Sequence, residues 1–90
     1  MEMIRYRGAY RFADRAALED AVAAALANNA DLQPRFSLVG SSLCVVLDLP
    51  ARSDQRHAAA QVMRTLANHA VEGIVVARHR EQAVDVFVCG

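Results

Sequence analysis

The sequence predicts an α+β fold, a two-layer sandwich in which a mostly antiparallel sheet carries both helices on one face. The strongest observation is the stretch Ser42–Pro50, where an aliphatic residue occupies every second position. A period of two places these side chains on one face of a strand. Two further segments, which begin near Asp14 and Ser53, have helical spacing instead. The predicted order is strand, helix, strand, strand, helix, strand, strand.

The N-terminal residues 3–12 are predicted to form the first strand. Aromatic and aliphatic side chains fall on one side of it and arginines on the other, so the aromatic side is expected to face the core. Gly8 in the middle indicates a bulge or a close neighbour. Asp14 is expected to cap the first helix, which should run for about four turns. Residues 28–31 and Pro34 are expected to end it.

The middle of the chain is predicted to form a hairpin followed by a helix. A short strand at residues 35–39, with Phe36 and Leu38 facing inward, precedes a turn at Gly40 and Ser41. Because so few residues separate this strand from Ser42–Pro50, the two should pair antiparallel. Ser53 is expected to be the N-cap of the second helix, which should end near residues 68–70.

The last two strands are predicted at residues 74–79 and 83–89. Their connection, Arg80, Glu81 and Gln82, contains no Gly, Asn or Asp, so a loose hairpin is expected rather than a tight turn. In the final strand the valines Val84, Val86 and Val88 are expected to face the helices. That orientation leaves Asp85, Phe87 and Cys89 on the open face.

Short connections and right-handed crossovers arrange the first six elements as a split βαβ unit. The outline is similar to the ferredoxin-like superfold, βαββαβ, with an additional C-terminal β-strand. Residues 1–90 are expected to form one such domain. The likeness is topological, and this superfold hosts unrelated functions, so it implies no particular activity.

Composition and charge argue against several classes of partner. The formal net charge is +0, with 10 basic and 10 acidic residues, so no nucleic-acid or membrane partner is expected. The N-terminus lacks the apolar run of a signal peptide, and no stretch approaches the roughly 20 apolar residues of a membrane span. A cytoplasmic location is therefore expected.

Sulfur and imidazole groups show no ligand pattern. Cys44, Cys89 and the three histidines have no CxxC, HxxxH or similar spacing, so no metal and no cofactor are expected. The two cysteines are expected to be free thiols. No catalytic residue can be named, and an enzyme is the least favoured of the functional hypotheses.

An arginine row is a further candidate. Arg5, Arg7 and Arg11 share one side of the first strand, and Arg78 and Arg80 could extend the row from a neighbouring strand. Such a face could follow a nucleic-acid backbone. Sheet-type RNA binders also need aromatic rings on that face, and here the tyrosines are expected on the other one. A solvated face is the better interpretation.

The leading functional hypothesis is a non-enzymatic binding module that associates with a second copy or another protein. Hydrophobic residues form 54 % of the chain, but many are alanines, which bury little area. A shallow core of this kind often gains stability by pairing with a second copy. The predicted contact is the open sheet face or the C-terminal edge strand, at Met3, Val46, Asp85 and Phe87.

The alternative hypothesis is a regulatory domain that binds a small anionic ligand at the N-terminus of the second helix. Free amides there attract anions, and two guanidinium groups could clamp a phosphate or carboxylate. The residues concerned are Arg52, Ser53, Arg56 and His57. An ordinary capped helix start with solvated arginines explains the same residues, because capping alone accounts for Ser53.

Overall fold

The computed structural model describes residues 2–27 and 35–89. The elements are β1 (Met3–Arg11), α1 (Arg15–Leu26), β2 (Arg35–Val39), β3 (Ser42–Pro50), α2 (Gln55–His69), β4 (Glu72–His79) and β5 (Gln82–Val88). The strands form one antiparallel sheet in the order β2-β3-β1-β4-β5. This α+β arrangement confirms the predicted ferredoxin-like sandwich, with the additional strand β5 at the margin beside β4.

One face of the sheet and both helices enclose the core. Every second side chain of β1 and β3 is buried, as the alternation in the sequence predicted. The buried side chains of these strands form one core with side chains from both helices, including Leu18 of α1 and Val62, Met63 and Leu66 of α2. Both helices of the described residues lie on this one face, and the opposite face of the sheet is called here the open face.

The helix starts follow local capping chemistry. Oδ1 of Asp14 accepts a hydrogen bond of 2.8 Å from the amide of Ala17, which confirms Asp14 as the N-cap of α1. In α2 the N-cap is Asp54 rather than the predicted Ser53. Ser53 still contributes, because its Oγ accepts a 3.0 Å hydrogen bond from the amide of Gln55. The stop residues expected after α1, at 28–31 and 34, lie outside the described residues.

The turn between β4 and β5 is tight, so the prediction of a loose hairpin was wrong. His79 pairs with Gln82, which leaves only Arg80 and Glu81 between the strands. Their φ angles are 54° and 67°. Two residues with positive φ give the twist that a two-residue hairpin needs, and here two non-glycine residues adopt it.

The predicted orientation of β5 was also wrong. Phe87 is 4 % exposed and belongs to the core, whereas Val84, Val86 and Val88 are exposed. Phe87 pairs with Val75, whose side chain is buried under the helices, so both side chains lie on the core side. A register shift near Ala77 lies between this pair and the turn, so the pairing at the turn does not continue unchanged to Phe87. The sequence offers apolar residues on both sides of β5, and burying the larger phenylalanine removes more apolar area from water.

Candidate functional site

An apolar patch lies on the open face where β4 and β5 pair. We call it the valine patch, and it consists of Ile74, Val76, Val86 and Val88. Ile74 lies opposite Val88, and Val76 lies opposite Val86. Ile74, Val86 and Val88 are 44 %, 50 % and 62 % exposed. These adjacent exposed aliphatic side chains form a continuous apolar surface on the open face.

The patch continues across the sheet without a charge. Ile74 lies opposite Ala9 of β1, and Ala9 lies opposite Cys44 of β3. Together with Val88 these residues form an uncharged row across four strands. An apolar stripe therefore crosses the open face from β5 to β3.

Ion pairs border this stripe on both sides. Nε of Arg11 lies 3.0 Å from Oε1 of Glu72, and a guanidinium nitrogen of Arg7 lies 2.7 Å from Oδ1 of Asp48. The hydrogen bond from Arg11 and its charge hold the pKa of Glu72 below its usual value. These paired charges leave the stripe flanked by polar groups with little net charge.

The outer edge of β5 is obstructed. The amide of Cys89 donates to the carbonyl oxygen of Gly73 on the β4 side, at 3.1 Å. Successive amides of a strand point to opposite edges, so the amides of Val86 and Val88 point outward. The Val86 amide donates to Oδ1 of Asp85 at 3.1 Å. A capped amide and a nearby register shift both hinder the addition of another strand.

The four residues predicted as an interface do not form one surface. Phe87 is buried, so its assignment to the open face was wrong. Asp85 is half-buried opposite Ala77, on the helix side of the ladder. Met3 is half-buried at the start of β1, and Val46 is exposed on the open face opposite Arg7. Only Val46 therefore lies beside the apolar stripe.

Sequence reasoning missed the valine patch because it placed the β5 valines under the helices. The alternation of Val75 and Ala77 with Ile74 and Val76 was visible in β4. Once Ile74 and Val76 are placed on the open face, the pairing of β4 with β5 sets the positions of Val86 and Val88. That register depends on the tight turn at Arg80 and Glu81, which the sequence did not predict.

The residues predicted to bind an anion at the start of α2 have separate local partners. Oγ of Ser53 accepts from the Gln55 amide, and Nε2 of His57 lies 3.2 Å from Nε2 of Gln61. Burial raises the pKa of Tyr6, while the charge of Arg56 and its hydrogen bond to the phenol oppose that shift. Arg52 is exposed. Ligand binding at this helix start stays a prediction.

The two cysteines are free thiols in different surroundings. Cys44 is an exposed free thiol, and Sγ of Cys89 donates to the carbonyl oxygen of Ala70 at 2.9 Å. Within residues 2–27 and 35–89, no three metal-binding side chains come together. In the same part of the chain, neither helix combines the length and apolar character needed to cross a bilayer.

No match to this chain was found among protein-family models, curated proteins or solved structures. The functional proposals therefore come from the geometry of the chain itself.

Proposed function

We propose that this protein is a non-enzymatic interaction module that forms a homodimer through its open sheet face. The observation that carries the proposal is the valine patch, in which Ile74, Val86 and Val88 are neighbours and expose about half of their side-chain surface. The uncharged row through Ala9 and Cys44 extends this apolar surface toward the centre of the sheet.

Charge placement along β4 favours a second copy as the partner. Glu72 begins the strand and Arg78 lies near its end, and both are exposed with the patch between them. In a twofold dimer with the two β4 strands antiparallel, each Arg78 approaches Glu72 of the other copy. The same arrangement places the two patches against each other. Glu72 is already paired with Arg11 of its own chain, so the approaching Arg78 adds a second guanidinium to the same carboxylate and favours the pairing that buries the apolar residues.

The area of the open face is adequate for a weak to moderate dimer. Strands spaced about 4.8 Å apart and rising about 3.3 Å per residue give a five-stranded face of roughly 600 Å² in projection. A stable interface buries about 800 Å² of accessible surface on each partner, and weaker complexes bury less. We therefore expect a dissociation constant on the order of 10 µM.

The face is a better contact than the edge of β5. The carboxylate of Asp85 accepts the hydrogen bond of the outward-pointing Val86 amide. The register shift also distorts the strand near the turn. A partner strand would have to displace the carboxylate before it could pair there. Packing on the open face needs no such rearrangement.

Sedimentation equilibrium of the wild type, Val86→Lys and Val71→Lys tests the proposal. Val71 is 49 % exposed and precedes β4, so it matches Val86 in exposure but lies outside the patch. We expect the wild type and Val71→Lys to dimerise, and Val86→Lys to remain monomeric because a lysine amine in the contact loses its hydration. Circular dichroism should show all three folded.

Three results contradict the proposal. The first is a wild type that stays monomeric at several hundred micromolar, well above the expected dissociation constant, which would show that no dimer forms. Equal weakening by both lysine variants shows a general charge effect instead of a specific contact. Protection of the outward Val88 amide from hydrogen exchange on association, with no change at the patch side chains, moves the contact to the edge of β5.

A further inference from the structure

A basic groove lies on the open face, beyond the valine patch and beside the β4–β5 turn. Its volume is about 510 Å³, within the range of small-molecule sites. Four arginines line it, Arg5, Arg7, Arg78 and Arg80, together with Met3, His79 and two carboxylates, Glu2 and Glu81. The groove shares Arg78 with the proposed dimer contact, so a bound anion and a second copy compete for this side chain.

Two of the four arginines face each other without an acid between them. Arg5 of β1 lies directly opposite Arg78 of β4, and like charges in such a pair repel. Among the described residues no carboxylate forms an ion pair with either guanidinium. Asp48, which lies opposite Arg5 on the other side, is engaged by Arg7. The groove therefore concentrates two positive charges at one point.

Carboxylates hold the other three basic side chains of the groove, Arg7, Arg80 and His79. Glu2 pairs with the guanidinium of Arg80, and its second oxygen lies 3.0 Å from Nε2 of His79. Arg80 also has a backbone φ of 54°, a conformation that costs energy for a residue with a β-carbon. This conformation belongs to the two-residue turn between β4 and β5, and it sets the position from which the Arg80 side chain reaches Glu2.

We propose that this groove binds the phosphate dianion of a small phosphate monoester, with Arg5 and Arg78 as its principal ligands. A dianion balances both unpaired guanidinium charges, whereas a single carboxylate balances one. Guanidinium groups present paired N–H donors that match phosphate oxygens. Binding also removes the repulsion between the two arginines, so the ligand and the fold stabilise each other.

A small ligand fits this groove better than a nucleic-acid strand does. Single-stranded nucleic acids bind sheet faces by stacking bases on exposed aromatic rings. In this protein the rings lie on the opposite side of the sheet, where Tyr6, Tyr10, Phe12 and Phe87 are buried and Phe36 packs against the same core. Aliphatic side chains of the valine patch adjoin the groove instead.

Titration with inorganic phosphate, followed by amide chemical shifts, tests the proposal on the wild type and on Arg5→Gln and Arg78→Gln. Arg11→Gln is the matched control, because Arg11 lies on the same strand and face but is paired with Glu72. We expect saturable shifts at Arg5, Arg78 and Arg80 with a dissociation constant on the order of 1 mM. Each groove variant should weaken binding about tenfold, and the control should not.

Thermal unfolding supplies a second readout. Without phosphate, Arg78→Gln should unfold at a temperature equal to or above that of the wild type, because the substitution removes the repulsion with Arg5. Phosphate should then raise the unfolding temperature of the wild type more than that of the variant. A variant that had simply lost its fold would show neither behaviour.

Several outcomes overturn the proposal. Absence of saturable shifts, or equal weakening in Arg11→Gln, shows only general attraction of anions. Shifts confined to the amides of Ser53 and Arg56 place the anion at the start of α2. A short single-stranded oligonucleotide that binds the same arginines far more tightly than phosphate replaces the small ligand with nucleic acid.

Discussion

The phenol oxygen of Tyr10 donates a 2.5 Å hydrogen bond to the main-chain carbonyl oxygen of Phe87, although β4 lies between their two strands. Tyr10 passes over Gly73, which is its partner on β4. A β-carbon at Gly73 would lie only 2.9 Å from Cδ1 of Tyr10, so a larger residue there would block the ring. The bond ties the central strand to the marginal strand β5 and helps to hold Phe87 in the core.

The Tyr10 bond predicts a loss of stability at high pH. Burial raises the pKa of Tyr10 to about 12, and the nearby Cys89 adds to the shift. The unfolded chain releases the same proton near pH 10, so the folded state binds more protons between these values. Its free energy of unfolding should therefore decrease as the pH rises from about 10 to about 12. Urea unfolding across this range measures the decrease.

Tyr10→Phe is the matched variant for this prediction. Near pH 8 it should be less stable than the wild type by about 1 kcal/mol, because the hydrogen bond to Phe87 is lost. Above pH 10 its stability should fall less steeply than that of the wild type. The buried Tyr6, whose pKa is also raised, should account for part of the remaining decrease in stability. Identical pH profiles for the two proteins would show that Tyr10 does not contribute.

The burial of Phe87 gives a prediction that separates the two possible orientations of β5. Its ring stacks on Tyr6 with centroids 6.3 Å apart, and the Arg64 guanidinium lies 5.8 Å from its centroid. Phe87→Ala should therefore cost about 3–5 kcal/mol, measured by urea unfolding. Val84→Ala, at an exposed position on the same strand but outside the valine patch, should change stability by less than about 0.5 kcal/mol. The reverse order of effects would place the valines in the core.

The buried side of a strand could be predicted from the sequence where only one of its two sides is strongly apolar. In β3 the leucines and Val45 alternate with a mixed set that includes Ser42 and Asp48, so the wholly aliphatic side is the buried one. In β5 both sides offer apolar residues, and the turn and the register shift decide which side is buried. Neither feature leaves a signal in residue type, because Arg80 and Glu81 are unusual in a two-residue turn. The sequence therefore placed the wrong β5 residues on the open face, and an interface on that face stays a prediction.

Gly8 should be essential for the packing of β1 between its neighbours. A β-carbon there would lie 2.0 Å from the carbonyl oxygen of Ile74 and 2.6 Å from Cα of Val75, both of which are backbone atoms. Gly8→Ala should push β4 away from β1 and cost more than about 3 kcal/mol, or prevent folding. Gly40→Ala is the control, because its β-carbon meets nothing within 4 Å and its φ of 60° costs only about 1–2 kcal/mol. Equal losses in urea unfolding would show that β1 and β4 can separate freely.

Glu81 should limit the stability of the β4–β5 hairpin. Its φ is 67°, a conformation that glycine adopts without the clash between a β-carbon and the backbone. Glu81→Gly should therefore raise the free energy of unfolding by about 0.5–1 kcal/mol, after the greater flexibility of glycine in the unfolded chain is taken into account. Glu81→Ala keeps the β-carbon and removes only the carboxylate, so it should give little or none of this gain. Urea midpoints of the three proteins test the prediction, and an equal gain in both variants would assign the effect to the lost negative charge instead of the backbone.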